Sequence, residues 1–404
     1  MGSELRETVR RAYAGSDFFR TTLAAAGVGA DGVDELARLP FTTKEQLRAA
    51  YPFGWTCVPD REVVRIHASS GTTGRRTLCT YTRHDLEEWT AMFARCLEYA
   101  GITDADRVQL MVGYGLWTAG WGFQAAVERV GAMAIPSGPG QTDLQLEPMV
   151  DLGTTALCAT SSFALAMGER VAANGGAPPG LRVGIFGSER WSELTRARIE
   201  GLLGLTAFDI YGLTELWGPG AGIECGEHAG MHVWTDYFLV EVVDPVTLEP
   251  VPAGVEGELV VTTLRKEATP LLRYRTRDLT ALDLSPCACG SPYPRIARLR
   301  GRSDDMIKAR GVMFFPAHVE NVLGQVEGAT GEYRIEIDRD GTGERVLVRA
   351  EIDGAAPDRP GLAGRIAELL RGEVGLRAEI DVVAPGTLPR SERKTQRVHD
   401  HRTH

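Results

Sequence analysis

The sequence predicts an α/β protein with a large N-terminal domain over residues 1–303 and a small α+β domain over 304–404. Short apolar segments alternate with helical ones up to about residue 205, which indicates βαβ units and parallel sheet. After residue 230, alternating β segments flank a turn-rich stretch, so this part is expected to be β-rich and more antiparallel. The polar stretch GRSDD at 301–305 then precedes about a hundred residues, enough for an independent unit.

The element predictions follow the apolar periodicity along the chain. Residues 4–50 are expected to be short helices, and TTKE at 42–45 has the pattern of a capped helix start. In the large domain we expect strands at 61–68, 108–112, 132–136, 183–186, 237–243 and 258–263, and helices at 84–100, 123–130, 144–152, 162–174 and 192–203. In the small domain we expect strands at 333–338, 345–351 and 378–383, and helices at 318–326 and 362–372.

Composition excludes several classes of protein. The formal charge is −10 over 404 residues, whereas proteins that follow a nucleic-acid backbone usually present a basic face. The longest apolar runs are too short for a membrane helix, and the charged N-terminus lacks a secretory signal. We expect a cytoplasmic protein. Seven cysteines, an odd number, do not suggest a disulfide framework.

Two segments suggest nucleotide chemistry, and each has a plainer alternative. SSGTTGRRT at 69–77 offers hydroxyls, backbone N–H groups and two arginines that can surround phosphate oxygens, yet a flexible polar loop has the same composition. FDIYGLTE at 208–215 can stack a purine on Tyr211, contact a phosphate through Thr214 and hold Mg²⁺ through Glu215. The alternative is an ordinary strand–turn–helix.

Two further segments are equally ambiguous alone. In LRYRTRDL at 272–279, Asp278 can accept hydrogen bonds from a ribose diol, or the segment is a solvated strand face. In PRSERKTQRV at 389–398, a lysine on a loop can reach a reacting phosphate or carboxylate as a point charge, although basic tails are usually solvated.

Together with GRSDD, these four segments occur in an order that resembles the adenylate-forming acyl-CoA synthetase superfamily. GPG and EC after YGLTE, then GMHVWTD, resemble its phenylacetate–CoA ligase branch more closely, over nearly the whole chain. The resemblance implies a two-step reaction. ATP and a carboxylic acid give an acyl-adenylate and pyrophosphate, with Mg²⁺; the small domain then rotates, and the thiol of CoA attacks the adenylate.

The resemblance also implies roles by position. Thr214 would contact the α-phosphate and Glu215 the Mg²⁺, while Lys394 would stabilise charge during adenylation. The β- and γ-phosphates would be held by Ser69, Ser70, Gly71, Thr72, Thr73 and Gly74, and adenine would be surrounded by Gly187, Ser188, Glu189, Asp209, Tyr211 and the adjoining Gly212. Asp278 with Arg302 would bind the ribose. Asp304 would be the hinge, and Gly311 would lie in the channel for thioester formation. Arg75-Arg76 stand where the family has Lys-Pro, and Arg393 precedes Lys394 where it commonly has Gly.

The aromatic segment GYGLWTAGWGF at 113–123 would line the acyl pocket. The substrate contacts implied are Tyr114, Gly115, Ala119 and Ser137, whereas we expect Trp121 and Phe123 to pack in the core. Flat aromatic walls and glycines suit a planar ring better than a fatty chain. We therefore expect an aromatic acid, of benzoate, anthranilate or phenylacetate type.

Cys225, His232, Cys287 and Cys289 are candidate metal ligands. Thiolates with an imidazole suit tetrahedral Zn²⁺, although C-x₆-H and C-x-C are not the common zinc-finger spacings. Relatives in the branch look similar at these positions. We expect a structural zinc rather than free thiols, with His228 as a reserve ligand.

The expected function is an AMP-forming aryl-acid–CoA ligase that uses ATP, Mg²⁺ and CoA and has no nucleic-acid or membrane partner; a homodimer is possible. The alternative is an adenylating enzyme that passes the acyl group to an amine, a hydroxyl or a carrier-protein thiol. A zinc-stabilised binding protein without catalysis is a third candidate, against which the presence of Glu215 and Lys394 in their motifs counts.

Overall fold

A computed structural model describes residues 2–69, 76–340, 343–354, 359–389 and 396–402. The helices are α1 (Gly2–Gly15), α2 (Asp17–Ala25), α3 (Lys44–Ala49), α4 (Arg83–Tyr99), α5 (Thr118–Val130), α6 (Thr142–Asp151), α7 (Ser161–Ala173), α8 (Glu193–Leu203), α9 (Pro316–Leu323) and α10 (Arg359–Val374). In the described residues, none of them combines the length and apolarity needed to cross a bilayer.

The strands of the large domain are β1 (Arg65–Ala68), β2 (Leu78–Tyr81), β3 (Arg107–Leu110), β4 (Met133–Ile135), β5 (Ala156–Thr160), β6 (Val183–Gly187), β7 (Thr206–Leu213), β8 (Gly218–Glu224), β9 (Met231–Val233), β10 (Phe238–Val243), β11 (Glu256–Thr263), β12 (Tyr274–Asp283), β13 (Arg295–Ile296) and β14 (Gly301–Arg302). Those that follow are β15 (Ile307–Ala309), β16 (Val312–Phe314), β17 (Ala329–Asp340), β18 (Gly343–Ile352), β19 (Glu379–Val383) and β20 (Val398–Asp400).

One mixed sheet organises the large domain. Strands β4, β3, β5, β6 and β7 lie side by side and parallel, because helices on the sheet faces connect each strand to the next. The order then continues through β8, β9, β13, β12, β11 and β10 in antiparallel pairs. The predicted fold class, parallel first and antiparallel after residue 230, is confirmed.

Local sequence explains where α3 begins. Thr43 begins α3 with a capping box, in which its hydroxyl accepts from Gln46 N–H and the Gln46 side chain accepts from Thr43 N–H. This reciprocal pair satisfies two otherwise unpaired donors of the first turn. The capped start predicted at 42–45 is therefore confirmed, and it places Lys44 at the first helical position.

Helix α5 differs from the prediction in two respects. It begins at Thr118 rather than at 123, because Trp117 takes an extended N-cap conformation. Trp121 was expected in the core, but it is 40% exposed, whereas Phe123 is buried. The Trp121 indole donates to the Gly115 carbonyl at 3.0 Å and packs against Tyr114, so its hydrogen-bonding edge is satisfied at the surface.

The segment after residue 306 has a hydrophobic core of its own. Its four-stranded sheet has the order β19-β18-β17-β20, with α9 packed on β17 and α10 on β19. A separate two-stranded hairpin, β15–β16, adjoins it. Contact with the large domain includes an ion pair from Arg190 to Glu320 at 3.4 Å and the packing of Leu194 against the small core.

Candidate active site

A cleft opens beyond the carboxyl ends of the parallel strands, the usual ligand position in open α/β sheets. Its volume is about 360 Å³. Most of the residues that the resemblance assigned to the nucleotide line it: Ser69, Gly187, Ser188, Glu189, Asp209, Tyr211, Gly212, Thr214, Glu215, Asp278 and Arg302. Ser70, Gly71, Thr72, Thr73, Gly74 and Lys394 lie outside the described residues.

The two ends of the predicted phosphate loop meet at the base of β1 and β2. Ser69 N–H donates to the Thr77 carbonyl at 3.0 Å, and Thr77 N–H donates to the Ser69 hydroxyl at 3.1 Å. The Thr77 hydroxyl then donates to Glu215 Oε1 at 3.0 Å. The loop at 69–77 and the YGLTE segment are therefore joined at this edge of the cleft.

Glu215 is a buried carboxylate with a cation beside it. Lys44 Nζ lies 3.2 Å from Glu215 Oε1, and the buried Lys266 donates to the Glu215 carbonyl at 2.7 Å. Burial raises the pKa of Glu215, but the Lys44 charge and the hydrogen bonds outweigh burial and leave the pKa below its usual value. Glu215 is thus held ionised, as a metal-binding carboxylate must be.

Lys44 is a site residue that the sequence analysis missed. One signal was available: a lysine at the first position of a helix opposes the helix dipole, which favours acidic residues there. Lys266 was missed as well, and its position in the sequence carries no comparable signal. Thr77 closes the SSGTTGRRT segment, but the sequence analysis gave it no role of its own.

Asp278 is the centre of a second group. Tyr211 donates its hydroxyl to Asp278 Oδ2 at 2.8 Å, and Arg302 Nη1 donates to Oδ1 at 3.3 Å. The same guanidinium pairs with Asp304 at 2.8 Å. Burial lowers the pKa of Arg302, but Asp304 and Asp278 raise it well above its usual value. Arg302 therefore links a cleft carboxylate to the residue expected at the domain junction.

Asp209 lies at the polar side of the cleft. Burial and the nearby Glu224 raise its pKa to about 7, against an opposing effect of Arg298. Its backbone N–H donates to Glu224 Oε2 at 2.8 Å, and Arg196 Nη2 reaches both oxygens of that carboxylate at 2.8 and 2.7 Å. Arg196 and Glu224, both buried, were not singled out from the sequence.

Glu189 has a structural partner at the start of α7. Its Oε1 accepts from Ser162 N–H at 2.7 Å and from the Ser161 hydroxyl at 3.1 Å. A carboxylate is favourable at a helix N-terminus because the N–H groups there lack partners in the helix. The residue therefore lines the cleft in a fixed orientation.

An apolar end of the cleft adjoins Ala119. Val112, Trp117, Thr118, Ala119 and Phe123 line it. Gly218 and Gly220 have positive φ, and a Cβ on Gly218 would lie 2.7 Å from Thr118 and Trp89. Glycine is therefore required for this close approach.

Three predicted substrate residues lie outside the lining of this cleft. The Tyr114 hydroxyl donates to Gln124 at 3.1 Å, and the Ser137 hydroxyl donates to the Leu110 carbonyl at 3.4 Å. Gly115 accepts the Trp121 indole hydrogen bond. The structure thus places Ala119 in the lining of the cleft and does not place Tyr114, Gly115 or Ser137 there.

The four predicted metal ligands converge in the described part of the chain. The ligand atoms of Cys225, His232, Cys287 and Cys289 lie within 4.8 Å of one another. His232 Nδ1 lies 2.9 Å from the Tyr293 carbonyl, which turns Nε2 toward Cys289 Sγ at 3.4 Å. An imidazole oriented by a carbonyl, together with three sulfurs, fits the chemistry of zinc. His228 instead lies 3.0 Å from Arg196 Nη1.

Asp304 and Gly311 line a second, larger cleft between the two domains, of about 1110 Å³. Gly311 occupies the tip of the β15–β16 hairpin with φ of 77°. A Cβ there would meet nothing within 4 Å, so the tip borders open space.

Comparisons with known proteins agree with this architecture. The family model "AMP-binding enzyme" matches residues 30–264, and "AMP-binding enzyme C-terminal domain" matches residues 311–402. The phenylacetate-coenzyme A ligase of Pseudomonas putida is 39% identical over 98% of this chain and 92% of its own. That of Escherichia coli (strain K12) is 40% identical over 98% and 93%.

Among solved structures, 2-hydroxyisobutyryl-CoA ligase in the postadenylation state matches with a TM-score of 0.90 at 28% identity, covering 99% of this chain and 89% of its own. With CoA in the thioesterification state, that ligase matches with a TM-score of 0.72, so the domains here are arranged more like the first state. The chain belongs to the adenylate-forming AMP-binding enzymes, in the branch of the phenylacetate–CoA ligases.

Proposed function

We propose that this protein is an AMP-forming ligase that joins an aromatic carboxylic acid to CoA at the expense of ATP. The observation that carries the proposal is the convergence of residues from separate motifs on one cleft, with a polar nucleotide side and an apolar end. Full-length relatives named phenylacetate-coenzyme A ligase support the aromatic substrate class.

The polar side supplies the first half-reaction. Adenylation builds negative charge on the α-phosphoryl oxygens, so catalysis depends on positioned cations and hydrogen-bond donors more than on a base. In this proposal Thr214 donates to the α-phosphate and Asp278 holds the ribose hydroxyls. Glu215, kept ionised by its surroundings, would hold Mg²⁺, which supplies charge neutralisation.

Lys394 and the loop at 70–74 complete this assignment from the sequence resemblance. The lysine would neutralise the carboxylate and the α-phosphate while they react, and the loop would surround the β- and γ-phosphates. Described residues next to each segment lie in one of the two clefts. Ser69, just before the loop, lines the nucleotide cleft, and Gln396 and Arg397, just after Lys394, line the cleft between the domains.

The apolar end defines the acid. Phe123 and Trp117 offer aromatic surface, while Ala119 and Gly218 leave room between them. A planar ring fills such a slot with less loss of conformational entropy than a flexible chain. We therefore propose an aromatic acid of benzoate, anthranilate or phenylacetate type.

We further propose that residues 1–303 and 304–404 act as two bodies with a hinge at Asp304. Arg302 and Asp304 pair at the junction, so a rotation there alters the pairing of a guanidinium that also contacts Asp278. A hinge allows one cleft to serve two half-reactions in turn. The Gly311 hairpin would then line the path of the CoA thiol.

The Cys225–His232–Cys287–Cys289 cluster is proposed to hold a structural zinc. With four protein ligands such a site is closed and has no open position for a substrate. Elemental analysis of the purified protein should find about one zinc per chain; a metal-free protein would contradict the assignment.

The deciding experiment measures pyrophosphate release across benzoates, hydroxy- and aminobenzoates, arylacetates and fatty acids, each with and without CoA. Turnover with an aromatic acid that requires CoA is the expected result. Release without thioester would instead favour an enzyme that passes the acyl group to an amine, a hydroxyl or a carrier protein.

A second test separates the half-reactions. Lys394→Ala should lose adenylation and still convert a supplied acyl-adenylate to the thioester. Arg393→Ala is the matched control, since it removes the neighbouring charge and leaves Lys394. Equal loss of both half-reactions in Lys394→Ala would contradict its role.

A further inference from the structure

The β15–β16 hairpin needs support beyond its own two strands. Its tip, Arg310-Gly311, has positive φ at both positions and borders the cleft between the domains. A two-stranded hairpin is marginally stable by itself in water. In the described residues β15 pairs with β16 alone, so the outward-facing groups of β15 require other partners.

One ion pair supplies those partners. Arg402 Nη1 donates to the Lys308 carbonyl at 2.8 Å and to Glu344 Oε1 at 2.6 Å. The other oxygen of Glu344 accepts from Arg310 N–H at 2.6 Å. The pair therefore holds a carbonyl and an N–H of the segment that leads into the tip.

A second carboxylate orients the arginine of the Arg402–Glu344 ion pair. Asp400 accepts from Arg402 Nε at 2.9 Å and from Nη2 at 2.6 Å, and the Arg402 side chain is 12% exposed. The Arg310 N–H and the Arg402 charge lower the pKa of Glu344. Charge-assisted bonds of this kind are short and directional, which fits a fixed support better than a solvated surface pair.

We propose that Arg402, through Glu344, is a positioning residue for the transfer of the acyl group to CoA. The proposal rests on the proposed ligase function, in which the hairpin tip lines the path of the thiol. In that step the CoA sulfur forms a C–S bond to the acyl carbon, the C–O bond to AMP breaks with its electron pair leaving on AMP, and the thiol proton passes to water.

The location of the pair predicts which half-reaction depends on it. Arg402, Glu344, Asp400 and the hairpin all belong to the small domain, so the support moves with the tip when that domain rotates. None of these contacts involves the residues that line the nucleotide cleft. Loss of Arg402 therefore loosens the tip during transfer and leaves adenylation intact.

The test uses Arg402→Met in the full-length protein and measures the two steps separately in single turnovers. Adenylate formation without CoA should stay within about twofold of wild type, and transfer from the preformed adenylate to CoA should slow at least about tenfold, the effect of about 1.4 kcal/mol in the barrier. Arg402→Lys, which keeps a cationic donor, should recover part of the transfer rate.

Arg345→Met is the matched control, because Arg345 neighbours Glu344 on β18 and its pair with Glu379 is exposed; both rates should be unchanged. Glu344→Gln keeps an acceptor for Arg310 N–H without the charge and should slow transfer by less than Arg402→Met. If Arg402→Met fails to fold, Glu344→Gln provides the test of the ion pair.

Equal loss of both steps in Arg402→Met and Glu344→Gln, or normal transfer in either folded variant, would overturn the role of Arg402. A wild-type protein that forms adenylate but never thioester would instead overturn the ligase function. The two failures are thus distinguished by the wild-type reaction.

Discussion

The Arg196–Glu224 ion pair tests what it costs to leave a charge unpaired in the buried region beside the polar side of the cleft. Arg196 is 5% exposed and Glu224 is 0% exposed. Replacing Arg196 with Met removes both bonds from Nη2 to the carboxylate and leaves Glu224 with the Asp209 N–H and a contact to His228 at 3.5 Å. Breaking a buried pair by removing one partner typically costs about 3–5 kcal/mol, because an uncompensated charge remains.

The midpoint temperature of thermal unfolding measures this cost. An unfolding entropy of about 2.1 cal/mol/K per residue, over a domain of roughly 300 residues, converts this cost to a decrease of about 5–8 °C. Thermal unfolding of Arg196→Met at pH 7.5 should show that decrease in the transition of the large domain. The double variant Arg196→Met/Glu224→Gln should be more stable than Arg196→Met, since position 224 then carries no unpaired charge.

Arg170→Met is the control, because it breaks an exposed pair with Asp143 in the same domain. Exposed pairs contribute about 0–1 kcal/mol, so on the same conversion the midpoint should move by about 2 °C or less. The reasoning is refuted if Arg196→Met costs less than about 1 kcal/mol, or if the double variant is no more stable than the single one.

Three further predictions concern the cleft and the cluster of Cys225, His232, Cys287 and Cys289. Lys44→Met should raise the Mg²⁺ concentration needed for half-maximal turnover, because without the Lys44 charge the pKa of the buried Glu215 rises and its carboxylate is less readily ionised; an unchanged Mg²⁺ titration curve would contradict this role. Asp209 has a pKa of about 7 against 3.8 for an ordinary aspartate, so the folded state binds the extra proton and stability should fall as pH rises from about 4 to 7; Asp209→Asn should flatten that slope in denaturant titrations at pH 5 and 8. Cys287→Ser should lower the unfolding midpoint more than it lowers turnover per folded molecule, and the opposite order would argue against a purely structural cluster.

Much of the fold could be predicted because its signals are local. Alternating apolar strands and helices predicted the parallel half of the sheet, and the capping pattern at 42–45 predicted the start of α3. Trp121 shows the limit of such signals. Its spacing is the same whether the helix face is covered or open, so only the packing of α5 decided that the ring lies at the surface.

The residues of the cleft also differ in how far the sequence predicts them. The family resemblance predicted that Tyr211, Glu215 and Asp278 contribute to one site, and the structure places all three in the lining of one cleft. The Cys225, His232, Cys287 and Cys289 side chains likewise converge as their chemistry suggested. In each case a recognisable residue type at a recognisable position carried the information.

The family, the class of chemistry and most of the residue types that the chemistry needs could be recognised from the order of motifs along the chain. The charged partners became visible only in the folded protein: Lys44 beside Glu215, Arg196 on Glu224, and Arg402 on the hairpin. The physical reason is that a buried charge must be paired, while the pairing residue can come from any part of the chain that the order of strands brings near. Such a partner leaves no periodic or spaced pattern in the sequence.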